Sequence, residues 1–127
     1  MELVNLKAEQ YAKQYTSALD NVLQEIEDYT LANHPHADML SGHVQGKVLE
    51  LFSKMIAPKK ILEIGTFTGF SALCLAKGLQ AGGKLVTLEL REEDAATAKK
   101  YFAKAGMEES IQLLTGDALQ IIPTLQE

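Results

Sequence analysis

The chain has one cysteine, no excess of basic residues and no long apolar run, and each shortage closes off a class of protein. The single thiol, Cys74, leaves no internal disulfide to form. Its setting, Ser71-Ala72-Leu73-Cys74-Leu75-Ala76, reads as that of a small buried hydrophobe rather than a nucleophile. Lys plus Arg number 12 against 17 Asp plus Glu, for a net charge of −5. Nucleic-acid binding needs a clustered excess of cations against phosphate, so no nucleic-acid partner is expected. The pairs Lys59-Lys60 and Lys99-Lys100 sit among acids and read as solvated faces. No stretch approaches the roughly 18 apolar residues of a membrane span. The first residues, Met1-Glu2-Leu3-Val4-Asn5, lack the basic-then-apolar order of a secretory signal. No membrane partner and a cytoplasmic setting are the resulting expectations.

What is present is an ordinary globular balance, 46% hydrophobic and 23% charged, in 127 residues. That length suits one core and not two. The pattern changes near Pro58. Residues 1–58 read as a helical leader: a short helix over 6–15, an amphipathic one capped at Ser17 and running to about Leu31, and a third from Ser41-Gly42 that Pro58 stops. The third presents Val44, Val48, Leu51, Phe52 and Met55 on one face. Residues 59–127 alternate instead. Ile61-Leu62-Glu63-Ile64 suits a strand buried on both faces, 69–77 a helix, 84–90 a strand, 91–105 a helix, and 111–114 a strand before a short helix opened by Asp117. Acids lead the helix over 91–105 and lysines end it, matching the helix dipole. Such alternation signifies α/β architecture with a parallel sheet. The first strand reads as a central one, yet these residues supply neighbours on one side only. The expectation is the first half of a domain whose second half is absent, with an unpaired strand edge that a dimer or larger assembly covers.

The chemistry concentrates in Glu63-Ile64-Gly65-Thr66-Phe67-Thr68-Gly69-Phe70-Ser71, at a strand-to-helix turn. Gly65 lets backbone approach a ligand, and Gly69 keeps the turn tight. Glu89 ends the next strand, where a carboxylate can accept both hydroxyls of a ribose. A nucleoside ligand follows from the two together. The dinucleotide fingerprint fails, because Phe67 and Phe70 stand where it needs glycines. The run Gly78-Leu79-Gln80-Ala81-Gly82-Gly83-Lys84-Leu85 mimics a triphosphate loop but has Leu85 where magnesium needs a hydroxyl, and it precedes a strand. A helix end and loop account for it.

Four ordered motifs carry a resemblance. They are Met39-Leu40-Ser41-Gly42-His43-Val44-Gln45-Gly46, the run Leu62 to Leu73 around the turn, the acid Glu89, and Gly116-Asp117-Ala118. Over about residues 37–127 the chain resembles the class I S-adenosylmethionine-dependent O-methyltransferases of the catechol and caffeoyl-coenzyme A type. Ser41 and Phe70 depart from the family's usual apolar residue and tyrosine. The resemblance implies a Rossmann-like methyltransferase fold, N-terminal half only, with three parallel strands after a helical leader. It implies that Met39 and Ser41 cover the cofactor's methionine part, that Glu63, Gly65, Thr66 and Gly69 border it, and that Ser71 bonds its carboxylate. Glu89 would hold the ribose, with Asp117 and Ala118 flanking the adenine. Plainer readings stand beside these: a helix cap or lysine partner for Glu63, a helix-start serine for Ser71, and an N-cap for Asp117.

The resemblance further implies methyl transfer to a hydroxyl of a small molecule, phenolic or catechol-like, with a divalent metal such as magnesium in the intact protein. The metal ligands and catalytic residues are expected beyond residue 127. It also implies a homodimer contact through the leader. Two rival readings are a non-catalytic nucleotide-binding module and a fragment of a dinucleotide-dependent oxidoreductase. Of the histidines, His34 and His36 read as exposed loop residues rather than metal ligands. His43 reads as a surface cap rather than a base near the acceptor.

Overall fold

The computed structural model describes residues 3–126. Three helices come first: α1 (Leu6–Tyr15), α2 (Asn21–Asn33) and, after a single 3₁₀ turn at Ala37–Met39, α3 (Gly42–Ile56). Then β1 (Lys60–Ile64), α4 (Phe70–Ala76), β2 (Lys84–Glu89), α5 (Glu92–Lys104), β3 (Ile111–Thr115) and α6 (Ala118–Ile121) alternate. The three strands form one parallel sheet in the order β1-β2-β3, so β2 is central and β1 is an edge.

Local rules account for most boundaries. Asn5 and Asp20 cap α1 and α2 through side chains that accept the Lys7 and Leu23 N–H groups. The cap of α2 is therefore Asp20 and not Ser17, because the carboxylate is the group that reaches the orphan amides. Ala57 takes a left-handed conformation just ahead of Pro58, and α3 ends there. Past α5 the chain closes with Met107 N–H on the Phe102 carbonyl and Gly106 at φ +68°.

One core joins the leader to the sheet. Leu23 and Ile26 of α2 pack with Phe70, Leu73 and Cys74 of α4, Leu85 of β2 and Phe102 of α5. Cys74 is wholly buried, and burial pushes its thiol up to about 12, so it stays protonated and unreactive. Against α4, however, α3 presents its small and polar side. A Cβ at Gly46 would stand 2.5 Å from the Phe70 ring, and one at Gly78 2.2 Å from Ser53. The apolar stripe of α3 is left exposed: Val48, Leu51, Phe52 and Met55 are 42–72% accessible. Close packing against α4 and the turn after it decides the matter, and Gly46 and Ser53 permit it.

The first strand departs from the expected burial on both faces. Ile61 and Glu63 face the helices, but Leu62 and Ile64, on the opposite face of the sheet, are 49% and 63% exposed. No described element packs over them, nor pairs with the outer edge of β1. None of the described helices is long and apolar enough to cross a membrane.

Candidate functional site

The carboxyl ends of β1 and β2 lie side by side, and the turn after β1 folds over them. Gly65 and Thr66 both donate their N–H groups to the Leu88 carbonyl, at 2.8 and 3.1 Å, which ties the turn to the central strand. Gly65 has φ +91°, and a Cβ there would meet nothing within 4 Å: the backbone is open to whatever approaches. Gly69 has φ +95° for a different reason. A Cβ there would stand 2.9 Å from the Phe102 ring, so this glycine brings the turn down onto α5.

Two carboxylates sit under the turn with different partners. Glu89, at the end of β2, is 8% exposed and accepts the Phe67 N–H at 2.7 Å on Oε2 and the Arg91 N–H at 3.0 Å on Oε1. Each oxygen keeps a lone pair free. Glu63, on β1, accepts the Ser71 hydroxyl at 2.5 Å and the Thr87 hydroxyl at 2.6 Å. Thr87 in turn receives the Thr66 hydroxyl at 2.6 Å, because its own proton is committed to Glu63. Burial pushes the Glu63 carboxyl above the usual range; the two hydroxyl bonds pull the other way, and the charge of Glu89 adds to the rise.

A cleft of about 80 Å³ opens above these groups. The turn residues Gly65, Thr66, Phe67, Phe70 and Ser71 form one wall, and Met39, Leu40 and Ser41 form the other. Met39, Ser41, Gly65, Thr66 and Ser71 are thus brought together, with Glu63 reached through Ser71 and Glu89 through Phe67. Thr66 contributes backbone only, its hydroxyl being turned inward and buried. Asp117 and Ala118 stand outside the cleft but close to Glu89, whose carbonyl accepts the Gly116 N–H at 2.8 Å. Asp117 is exposed and caps α6 through the Leu119 N–H at 2.9 Å. Its N-cap reading therefore holds, whatever else the side chain does. Glu63, by contrast, neither caps a helix nor meets a lysine.

His36 is exposed, as expected, but His34 differs. His34 is not a solvent-exposed loop residue: its side chain is 9% accessible, with Nε2 2.9 Å from Asp94 Oδ1. The isolated pattern His34-Pro35-His36 carries no sign of this, since Asp94 is 60 residues away. His43 joins α3 to the backbone ahead of α2 through the Ser17 carbonyl, at 2.6 Å. The buried hydroxyl pair Thr30–Thr68, at 2.9 Å, was equally invisible in sequence. A larger cleft of about 580 Å³ lies at the opposite end of α4, among Asp20, Leu23, Leu73, Lys77 and Met107. It is remote from the strand ends and holds no convergent set of buried polar groups.

Known proteins resemble this chain in sequence and in fold. The chain is 41% identical to a catechol O-methyltransferase of Niastella koreensis over 83 residues, which is 65% of this chain and 38% of that one. An S-adenosylhomocysteine-bound methyltransferase of Podospora anserina superposes with a TM-score of 0.88 at 29% identity, covering 95% of this chain and 52% of the other. An O-methyltransferase of Streptomyces achromogenes involved in tomaymycin synthesis, solved in complex with S-adenosylmethionine, gives 0.84 at 32% identity, covering 95% and 54%. The chain therefore spans about two fifths of that curated relative and about half of each of those structures. A family model described as O-methyltransferase matches residues 13–127, which sets aside the oxidoreductase reading. With the sheet, the glycine turn and the carboxylate at the end of β2 all falling inside that match, the chain belongs to the O-methyltransferase family.

Proposed function

We propose that these residues form the cofactor-binding part of an S-adenosylmethionine-dependent O-methyltransferase acting on a hydroxyl, phenolic or catechol-like, of a small molecule. The observation that carries this reading is Glu89. A carboxylate buried to 8% exposure at the end of the central strand, beside an open glycine turn, has two backbone donors and two lone pairs to spare. Such a group suits the adjacent hydroxyls of a ribose. When bound, the cofactor supplies a methyl group on a sulfonium, which passes in line to the acceptor oxygen.

The chain's own residues then have separate tasks. Gly65 leaves room for the methionine part, Gly69 seats the turn, and Ser71 with Glu63 offers a hydroxyl–carboxyl pair to its charged end. Met39 and Ser41 cover it from the facing wall. Ala118, and Asp117 where its capping bond allows, flank the adenine. Among the described residues no group of three or more His, Cys, Asp or Glu is placed to hold a metal. A divalent ion, as the family resemblance implies, would when bound lower the pKa of the acceptor hydroxyl.

A homodimer in the cytoplasm belongs to the same proposal. The free edge of β1 with exposed Leu62 and Ile64, and the apolar stripe of α3, support the pairing of two copies.

Calorimetric titration with S-adenosylhomocysteine tests the reading, with NAD as the control ligand. The expected result is binding that NAD does not reproduce and that Glu89→Gln weakens about tenfold, the cost of one charge-assisted hydrogen bond. Binding of NAD in preference would overturn it.

A further inference from the structure

Phe67 holds a φ of +53°, a conformation that a bulky residue keeps only when its surroundings impose it. That conformation aims its N–H at Glu89 Oε2. Against the Phe67 ring packs a side chain from the far end of α2. The His34 ring meets the Phe67 ring edge-on, with centroids 4.5 Å apart and planes at 77°.

His34 is itself held at both nitrogens. Its Nδ1 accepts the His36 N–H at 3.0 Å, so that nitrogen carries no proton, and Nε2–H donates to Asp94 Oδ1 at 2.9 Å. Asp94 lies in the first turn of α5 with its side chain 6% exposed. The same turn follows Arg91, whose N–H bonds the other oxygen of Glu89. The contacts close a ring: Phe67 to His34, His34 to Asp94, along α5 to Arg91, then through Glu89 back to Phe67. The His36 amide on His34 also anchors the segment that leads to Met39 and Ser41, the second wall of the cleft.

We propose that His34, locked by Asp94, is a positioning residue for the cofactor: it sets the two walls of the cleft against each other and keeps the Phe67 N–H on the Glu89 carboxylate. The affinity part of this inference rests on the reading of Glu89 as the ribose ligand. The pinning part does not.

Two measurements on the full chain separate them. Hydrogen exchange at the Phe67 amide, followed by NMR without ligand, reads the pin directly. His34→Ala and Asp94→Ala should lose protection there, while Asp94→Asn, which keeps an acceptor for Nε2–H, should retain it. His34→Gln keeps a donor for Asp94 but removes the ring, and should lose Phe67 protection while the core amides stay protected. Titration with S-adenosylhomocysteine reads the consequence: about tenfold weaker binding in His34→Ala and His34→Gln, as expected when a supporting shell is removed, with Asp94→Asn close to wild type. Wild-type protection at Phe67 in His34→Ala and His34→Gln would overturn the proposal. So would loss of protection spread evenly over the core, the mark of a merely structural role. Should the wild-type chain fail to bind S-adenosylhomocysteine, the reading of the site falls, and exchange at Phe67 still decides the pin.

Discussion

The neighbouring strands β1 and β2 have similar sequences, Lys-Ile-Leu-Glu-Ile and Lys-Leu-Val-Thr-Leu-Glu, and opposite circumstances. Paired on both sides, β2 buries Leu85, Thr87, Leu88 and Glu89; β1, paired on one, leaves Leu62 and Ile64 half exposed or more. Their carboxylates differ accordingly. Glu89 is gripped by backbone N–H groups whose positions the fold sets, whereas Glu63 is held by hydroxyls that can rotate. The central strand thus presents a rigid acceptor and the edge strand an adaptable one. A ligand that needs a fixed ribose contact and a looser contact at its charged end fits that division.

Substitutions sharpen the contrast, and the packing difference should give the largest effect. Leu88→Ala, at a site 1% exposed, should cost about 2–5 kcal/mol, and Leu62→Ala, at 49% exposed, less than about 1 kcal/mol. Equilibrium unfolding in urea measures both. Equal losses would mean that β1 is covered in solution.

Glu63 should also carry a pH dependence of its own. Glu63 has its carboxyl raised in the folded state, mainly by burial, so the folded chain holds that proton longer than the unfolded chain does. Stability from this group is present below the ordinary value of 4.5 and is lost as pH rises through the folded value. Asp20 and Glu50 tilt the other way: against the effect of burial, their N–H and lysine partners hold both carboxyls below the usual range. Comparing wild type with Glu63→Gln isolates one group from the others. Upward from pH 4.5 the wild type should lose stability relative to the variant, and parallel profiles would remove the assigned shift.

The smallest effect on stability should come from Ile64→Lys, which places a charge beside the free edge. Its folding free energy should move by less than about 1 kcal/mol, because Ile64 is 63% exposed. Its association should change far more. Light scattering should show a dimer in the wild type and a smaller species in the variant; a monomeric wild type would break the proposed pairing.

Much of this was legible in the residues. The strand–helix alternation, the glycine turn and the acid after β2 are local patterns, and they placed the sheet and most of the cleft. What escaped depends on contacts between distant segments. The α3 stripe of Val48, Leu51, Phe52 and Met55 obeys helical periodicity, but periodicity says which face is apolar and not which face a neighbour approaches. Gly46 and Ser53 decided that through Phe70, Cys74 and Gly78. The continuous apolar run of β1 likewise states what the strand suits, not what lies beside it. His34 looked like half of a loop pattern because its partner, Asp94, stands on another helix. The Ser71 hydroxyl, read for a ligand carboxylate, is engaged by Glu63 in this structure, a pairing eight residues apart that neither residue type announces alone.

The most direct test of the central claim is an NMR titration of the chain with S-adenosylhomocysteine, following every backbone amide. Shifts are expected at Gly65 to Ser71, at Glu89 and at Ala118, around the small cleft over the strand ends. Shifts centred instead on Leu23, Leu73, Lys77 and Met107, around the larger cleft at the other end of α4, would contradict it, as would a spectrum that the ligand leaves unchanged.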